Sequence, residues 1–149
     1  MDQNLRVRLM KAEDLLRVVV LEQSSFSQPW SEKLLAEGLK SPLDTYFVCT
    51  CENEIAGYCV LRVLADEGEL QRIAVFSEYR RQGIGRRLME AMLTAAREKG
   101  ASSVALEVRE SNRGAIQLYE EYGFCQEAVR KKYYREPEED AVIMWNRSL

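Results

Sequence analysis

The chain has 149 residues, a formal net charge of -3 and no histidine, with 46% hydrophobic and 30% charged residues. That length suits one domain over residues 1–149 with a substantial core and is too short for two nucleotide-binding halves, while the net charge argues against general affinity for nucleic acid or an anionic membrane. The missing histidine excludes Ser-His-Asp and Cys-His catalysis, histidine-ligated metals and imidazole acid-base work, leaving proton chemistry to carboxylates, phenols, thiols, amines or water.

Met1-Asp2-Gln3-Asn4 is polar, and no apolar run approaches the length of a membrane span or signal-peptide core, so a cytoplasmic protein is expected. Residues 5–9 alternate apolar and basic and predict a strand. A helix follows over residues 11–23, with Leu15, Leu16, Val19 and Val20 at helical spacing. Ser27-Gln28-Pro29-Trp30 breaks it, and Ser31 caps a second helix that ends before Pro42. Trp30 is either a core anchor or the wall of a substrate groove.

Residues 46–51, 55–64 and 70–76 are β-rich and predict an antiparallel meander, linked by Glu52-Asn53-Glu54 and by a break at Asp66-Glu67-Gly68. Cys49, Cys51, Cys59 and Cys125 lack CxxC spacing and read as reduced thiols, not as a metal site. Ile84, Leu88, Ala91, Met92, Ala95 and Ala96 fall on one helical face that Gly100 terminates. A short strand over residues 103–108 precedes a helix capped by Ser111 and stopped by Gly123, and closing strands over 124–134 and 141–145 flank a charged turn. The order predicts an α/β (α+β) mixed sheet with helices on both faces.

Between the third strand of the meander and the long helix lies Arg80-Arg81-Gln82-Gly83-Ile84-Gly85-Arg86-Arg87. Two glycines one residue apart let the backbone turn sharply and come close to a ligand, and the helix N-terminus adds unpaired N-H groups and a positive dipole end. The arrangement favours a pyrophosphate cradle over a plain loop flanked by solvated arginines. No Gly-Lys-Ser/Thr follows, which excludes a P-loop. Leu88 stands where a dinucleotide fingerprint needs a small residue, and the upstream meander is not a βαβ unit.

Arg81-Gln82-Gly83-Ile84-Gly85-Arg86 resembles the R/Q-x-x-G-x-G/A coenzyme A pyrophosphate loop of the GNAT N-acetyltransferases. Ile73-Ala74-Val75 resembles the strand that lies along the pantetheine arm in that family. Leu106-Glu107-Val108-Arg109-Glu110-Ser111-Asn112, then Ala115-Ile116-Gln117-Leu118-Tyr119-Glu120 and Tyr122-Gly123-Phe124, is similar to its C-terminal motif. The resemblance implies the GNAT fold, a mostly antiparallel twisted sheet of about seven strands with about four helices. It also implies acetyl-CoA as the acetyl donor, used directly in a ternary complex without a covalent enzyme intermediate.

Within the family, Pro29-Trp30-Ser31-Glu32-Lys33, Leu106-Glu107-Val108-Arg109 and Lys132-Tyr133-Tyr134 are most similar to the ribosomal-protein alanine N-acetyltransferases, the RimI group. That likeness implies a protein N-terminal α-amine as acceptor, Glu107 as base and Tyr119 as acid, without direct nucleic-acid or membrane contact. It also points to Trp30, Arg72, Tyr133 and Tyr134 as acceptor-binding residues. Arg72 stands where the group often has a small polar residue, and Gln28 where an apolar one is frequent. Side-chain lysine acetylation, a small-molecule amine acceptor, and an idle coenzyme A-binding module remain alternatives.

The chemistry of the residues is compatible with that expectation. An α-amine has a reference pKa of about 7.7–8.0 against about 10.4 for lysine, so a modest base suffices. Desolvation within Val104-Ala105-Leu106-Glu107-Val108 would raise the Glu107 pKa toward the working range, although a structural pair with Arg109 is equally open. Asn112 and Tyr119, seven residues apart, fall on nearly the same helical face. Asn112 is therefore a candidate for the pantetheine or pyrophosphate, and Tyr119 for the sulfur or for a plain core position. An oxyanion would need a free backbone N-H such as a strand bulge supplies, and no bulge is legible in the sequence. Arg130-Lys131-Lys132-Tyr133-Tyr134-Arg135 fits a solvated edge strand, an RNA contact or a peptide-binding wall, the last favoured by the resemblance.

Overall fold

A computed structural model describes residues 4–149; Met1 to Gln3, part of the polar N-terminus noted above, lie outside them. The strands are β1 (Leu5–Leu9), β2 (Asp44–Cys51), β3 (Glu54–Leu64), β4 (Glu67–Val75), β5 (Ser103–Arg109), β6 (Cys125–Tyr134) and β7 (Glu139–Asn146). The helices are α1 (Leu15–Ser25), α2 (Glu32–Gly38), α3 (Ile84–Glu98) and α4 (Arg113–Glu121). One seven-stranded sheet runs β1-β2-β3-β4-β5-β7-β6. Its neighbours are antiparallel except β4 and β5, which are parallel because α3 carries the chain across the face between them. This is the expected mixed, mostly antiparallel GNAT-type sheet with helices on both faces.

Strand alternation divides the core in two. On one face Cys59, Leu61, Leu70, Leu106 and Val108 pack with Leu88, Met89 and Met92 of α3 and Tyr119 of α4. On the other, Val48, Tyr58, Val60 and Ala74 pack with Val18 and Leu21 of α1 and Leu35 of α2. The apolar stripe of α3 therefore covers one face while α1 and α2 cover the other.

Three local expectations are corrected. The first helix opens as a 3-10 turn over Ala12–Asp14, with the Lys11 N-H donating to the Asp14 carboxylate at 2.8 Å. Glu67 and Gly68 do not break the meander: they belong to β4, and the turn is Ala65-Asp66, with Ala65 at φ 56°. Gly68 is needed inside the strand because a Cβ there would lie 3.0 Å from Val104 Cγ2 and 3.3 Å from the Ser103 carbonyl on β5. The cap of α4 is Asn112, whose side chain accepts the Ala115 N-H, and not Ser111. The Ser31 cap of α2 and the left-handed stops at Gly100 and Gly123 are found as expected.

Candidate active site

The parallel ladder between β4 and β5 runs from Glu67 opposite Ser103 to Leu70 opposite Leu106 and ends there. Beyond that point β4 follows β3, with Arg72 opposite Val60 and Val75 opposite Gly57, while β5 follows β7, with Glu107 opposite Ile143. The register between β3 and β4 shifts at the divergence: Leu61 faces Leu70 and Val60 faces Arg72, so Gln71 is the extra residue of a bulge. The two strands thus fork. A cavity of about 970 Å³ opens at the fork, lined among others by Trp30, Arg72, Ile73, Glu107, Asn112, Tyr119, Tyr133 and Tyr134. Eight residues expected at a site from sequence are brought together.

Glu107 and Tyr119 reach the fork from opposite sides. Val104, Leu106 and Val108 point into the α3/α4 core, so Glu107, between two of them, faces the α1 side. Its Oε2 is buried without a hydrogen-bond partner and lies 3.9 Å from an Arg130 guanidinium nitrogen, while 27% of the side chain remains accessible. The suggested pair with Arg109 is not formed. Arg109 instead donates to Glu139, to the Pro137 and Arg135 carbonyls and to the Ser27 hydroxyl, tying the 26–30 loop to the β6–β7 turn above the cavity. Tyr119 belongs to the opposite core, its ring 6.2 Å from that of Phe124. Burial pushes its phenol well above the ordinary tyrosine value, which keeps the proton available for donation.

The α1 side of the cavity is framed by a cluster that sequence reasoning missed. Glu22 is fully buried in α1. Its carboxylate accepts the Trp30 N-H at 2.7 Å, the Tyr58 hydroxyl, and two guanidinium donors of Arg72 at 2.9 and 3.0 Å. Tyr58 is pushed far above its ordinary value by burial and by this carboxylate. The signal in the sequence was position: Glu22 lies four residues after Val18, on the inward stripe of an apolar helix where a charge must be paired. Arg72 is thus engaged with Glu22 as well as lining the cavity. Across from it, Tyr133 and Tyr134 meet edge-to-face at 5.1 Å, under Arg130 and Arg109 respectively. Tyr134 is raised to about 12 by burial and the Glu107 charge. β6 is the exposed edge strand of the sheet, as one of the alternatives for this segment had it, and its register breaks between Arg130 and Tyr134, with Lys132 at φ 52°, so the edge is bulged there.

The glycine loop lies outside the cavity, past the end of β4. Gly83 is the left-handed N-cap of α3 at φ 87°, without a side-chain cap, and a Cβ there would meet nothing within 4 Å. Arg81 also has a positive φ, 62°. A Cβ on Gly85 would come 3.2 Å from Leu118 of α4, the helix that carries Tyr119. The buried Gln82 Oε1 has no partner. An uncapped helix N-terminus beside open backbone offers N-H donors that fit a pyrophosphate-bearing ligand. Other expected cofactor residues play different parts: Ile84 and Ala74 bury their side chains in the two cores, leaving only backbone to offer. Arg86 is paired with Glu121 at 2.7 Å, clipping α3 to α4.

The description of the acetyltransferase (GNAT) family matches residues 15–124. The chain is 38% identical over 140 residues to a Bacillus subtilis protein provisionally named a ribosomal protein bS18 alanine N-acetyltransferase, covering 93% of each. It is 36% identical over 137 residues to the Escherichia coli K12 enzyme named for that activity, covering 91% of this chain and 92% of the other. The crystal structure of the Escherichia coli ribosomal-protein-S18-alanine N-acetyltransferase superposes with a TM-score of 0.87 at 34% identity, covering 97% of this chain and 95% of that one.

Proposed function

The chain belongs to the acetyltransferase (GNAT) family and is an acetyl-CoA-dependent N-acetyltransferase; on that premise we propose that it acetylates the N-terminal α-amine of a protein, an N-terminal alanine of the ribosomal protein bS18 class. The observation that carries the reading is the fork, with a Glu107 carboxylate oxygen that faces Arg130 at 3.9 Å without a hydrogen bond on one side and the proton-retaining Tyr119 on the other. The whole of residues 1–149 acts as one catalytic domain in the cytoplasm. Among the described residues no helix is long and apolar enough to cross a membrane.

Acetyl-CoA supplies an acetyl group activated as a thioester. The N-H groups at Gly83 and Gly85, with Arg81 and the Gln82 amide N-H, would hold its pyrophosphate at the start of α3, and Arg86 keeps α4 against that helix. The backbone of Ile73, Ala74 and Val75 would offer hydrogen bonds to the pantetheine. Asn112 uses its oxygen to cap α4, which leaves its amide N-H groups for the cofactor. From the α1 side the peptide enters between Trp30 and the Tyr133-Tyr134 wall. Glu107 takes a proton from the amine, directly or through water, and Tyr119 gives its proton to the departing sulfur. The Gln71 bulge frees backbone N-H groups that stabilise the charge developing on the carbonyl oxygen.

The test is acetyl transfer to peptides with a free N-terminal alanine, beside a lysine peptide with a blocked N-terminus. Activity is expected on the first, and Glu107→Gln should lower kcat about 10²-fold while leaving acetyl-CoA affinity intact. Transfer only to the blocked lysine peptide would overturn the reading.

A further inference from the structure

The space between the Phe26 and Trp30 rings is filled. The guanidinium carbon of Arg72 lies 3.8 Å from the Phe26 ring centre and 4.7 Å from that of Trp30, and all three residues line the cavity. The same guanidinium grips both oxygens of Glu22 and donates to the Gln28 carbonyl at 3.1 Å. Only 17% of the Arg72 side chain is accessible, and none of Glu22. A carboxylate closed off from solvent demands its cation, so Arg72 cannot swing aside without leaving Glu22 charged and without a counter-ion. The plug is therefore rigid. It also joins the two positions, 28 and 72, at which the sequence departs from the group it most resembles.

Its place in the cavity is on the acceptor side. Arg72 projects toward α1, as Glu107 does, and the Tyr134 phenol feels both Glu107 and Arg72. A peptide whose amine sat at Glu107 would direct its first side chain into the space lined by Tyr134 on one side and Phe26, Arg72 and Trp30 on the other.

We propose that Arg72 is a specificity-determining plug that restricts the acceptor to N-termini with a small first side chain, and that Glu22 is the positioning residue that holds it there. This rests on the N-terminal acetylation reading, which the experiment tests separately. Acetyl transfer is measured with peptides identical except for a first residue of Ala, Ser, Met or Leu. The enzymes compared are wild type, Arg72→Lys, and the charge-neutral double variant Glu22→Gln/Arg72→Ser, which opens the space without stranding a buried charge.

Wild type should favour Ala over Leu. The double variant should narrow the Ala-to-Leu ratio of kcat/KM by about tenfold or more, the scale on which apolar pockets sort side chains by size. The gain should appear as a lower KM for the Leu peptide, with the acetyl-CoA KM held within about twofold. Arg72→Lys, which keeps a charge on Glu22 but loses the planar fork, should narrow the ratio by about threefold. If the double variant does not fold, an unchanged ratio in Arg72→Lys overturns the inference. Unchanged selectivity in an active double variant, or an acetyl-CoA KM that rises in step with the peptide KM, also overturns it. Wild-type inactivity on every free N-terminus would overturn the N-terminal reading and the inference with it.

Discussion

Tyr119 illustrates how one side chain serves both packing and chemistry. Its ring belongs to the α3/α4 core, and the residue also lines the cavity at the fork. Because burial raises its pKa above the ordinary value of 10.0, the proton stays on the oxygen through the neutral and mildly alkaline range. The sign follows: a raised phenol loses its acid role only as pH climbs beyond the ordinary value. The kcat profile of the wild type should therefore show no fall assignable to this group up to about pH 9. Tyr119→Phe should lower the plateau about 10²-fold without moving the acidic limb or the acetyl-CoA affinity. An alkaline fall with a midpoint near pH 8 that disappears in Tyr119→Phe would contradict the assignment. At this scale the family resemblance supplied both candidate acid and base, while the residues alone left Glu107 open to a structural pair and Tyr119 to a plain core position. Neither supplied Glu22, whose partners Tyr58 and Arg72 lie 36 and 50 residues away, or the turning of Arg109 away from Glu107 toward Glu139.

The join between β1 and α1 rests on a single carboxylate. Asp14 accepts both Arg8 guanidinium nitrogens, at 2.8 and 3.0 Å, and the Lys11 N-H at 2.8 Å. The Arg8 hydrogen bonds hold its pKa below the ordinary 3.8. A depressed carboxylate contributes stability that is present above its unfolded value and is lost as pH falls through the folded one. Arg8→Ala should thus cost about 1 kcal/mol near neutral pH, the low end because Arg8 is partly solvated. That corresponds to about 3 °C in Tm, and the gap between variant and wild type should close as pH falls below the ordinary aspartate value of 3.8. A gap that stays constant with pH in thermal melts would show that the ion pair is not its source. Elements as such were largely legible, since period-2 and helical patterns are properties of neighbouring residues. The helix cap shifted from Ser111 to Asn112, and Gly68 moved from turn to strand, because side-chain hydrogen bonding at one position and the approach of β5 at the other decide them. The Gln71 bulge was invisible, since register is set by the partner strand.

At the scale of the whole molecule, the parallel pair inside an otherwise antiparallel sheet sets where chemistry can occur. Once the β4–β5 ladder stops at Leu70 and Leu106, two opposite faces of the sheet communicate through the fork. The α3/α4 face carries the uncapped glycine loop and Tyr119, and the α1/α2 face carries Glu107, Trp30 and the clamped Arg72. Neither substrate needs to leave for the other to bind, and no side chain need carry the acetyl group between them. Each half-site is built by a different core, so a ligand that reaches both should gain from both without a second loss of translational freedom. A conjugate joining coenzyme A through an acetyl bridge to the α-amine of an alanine peptide should therefore bind at least about 10²-fold more tightly than either the free peptide or coenzyme A alone. The gain should require passage through the fork. Glu107→Gln should leave it nearly intact, because the base acts on a proton the conjugate no longer carries. Gly85→Val, which crowds the loop against Leu118, should remove most of it. Calorimetric titration of the conjugate, the peptide and coenzyme A separately decides the matter. An affinity no better than that of coenzyme A alone would mean that the two faces are not occupied together.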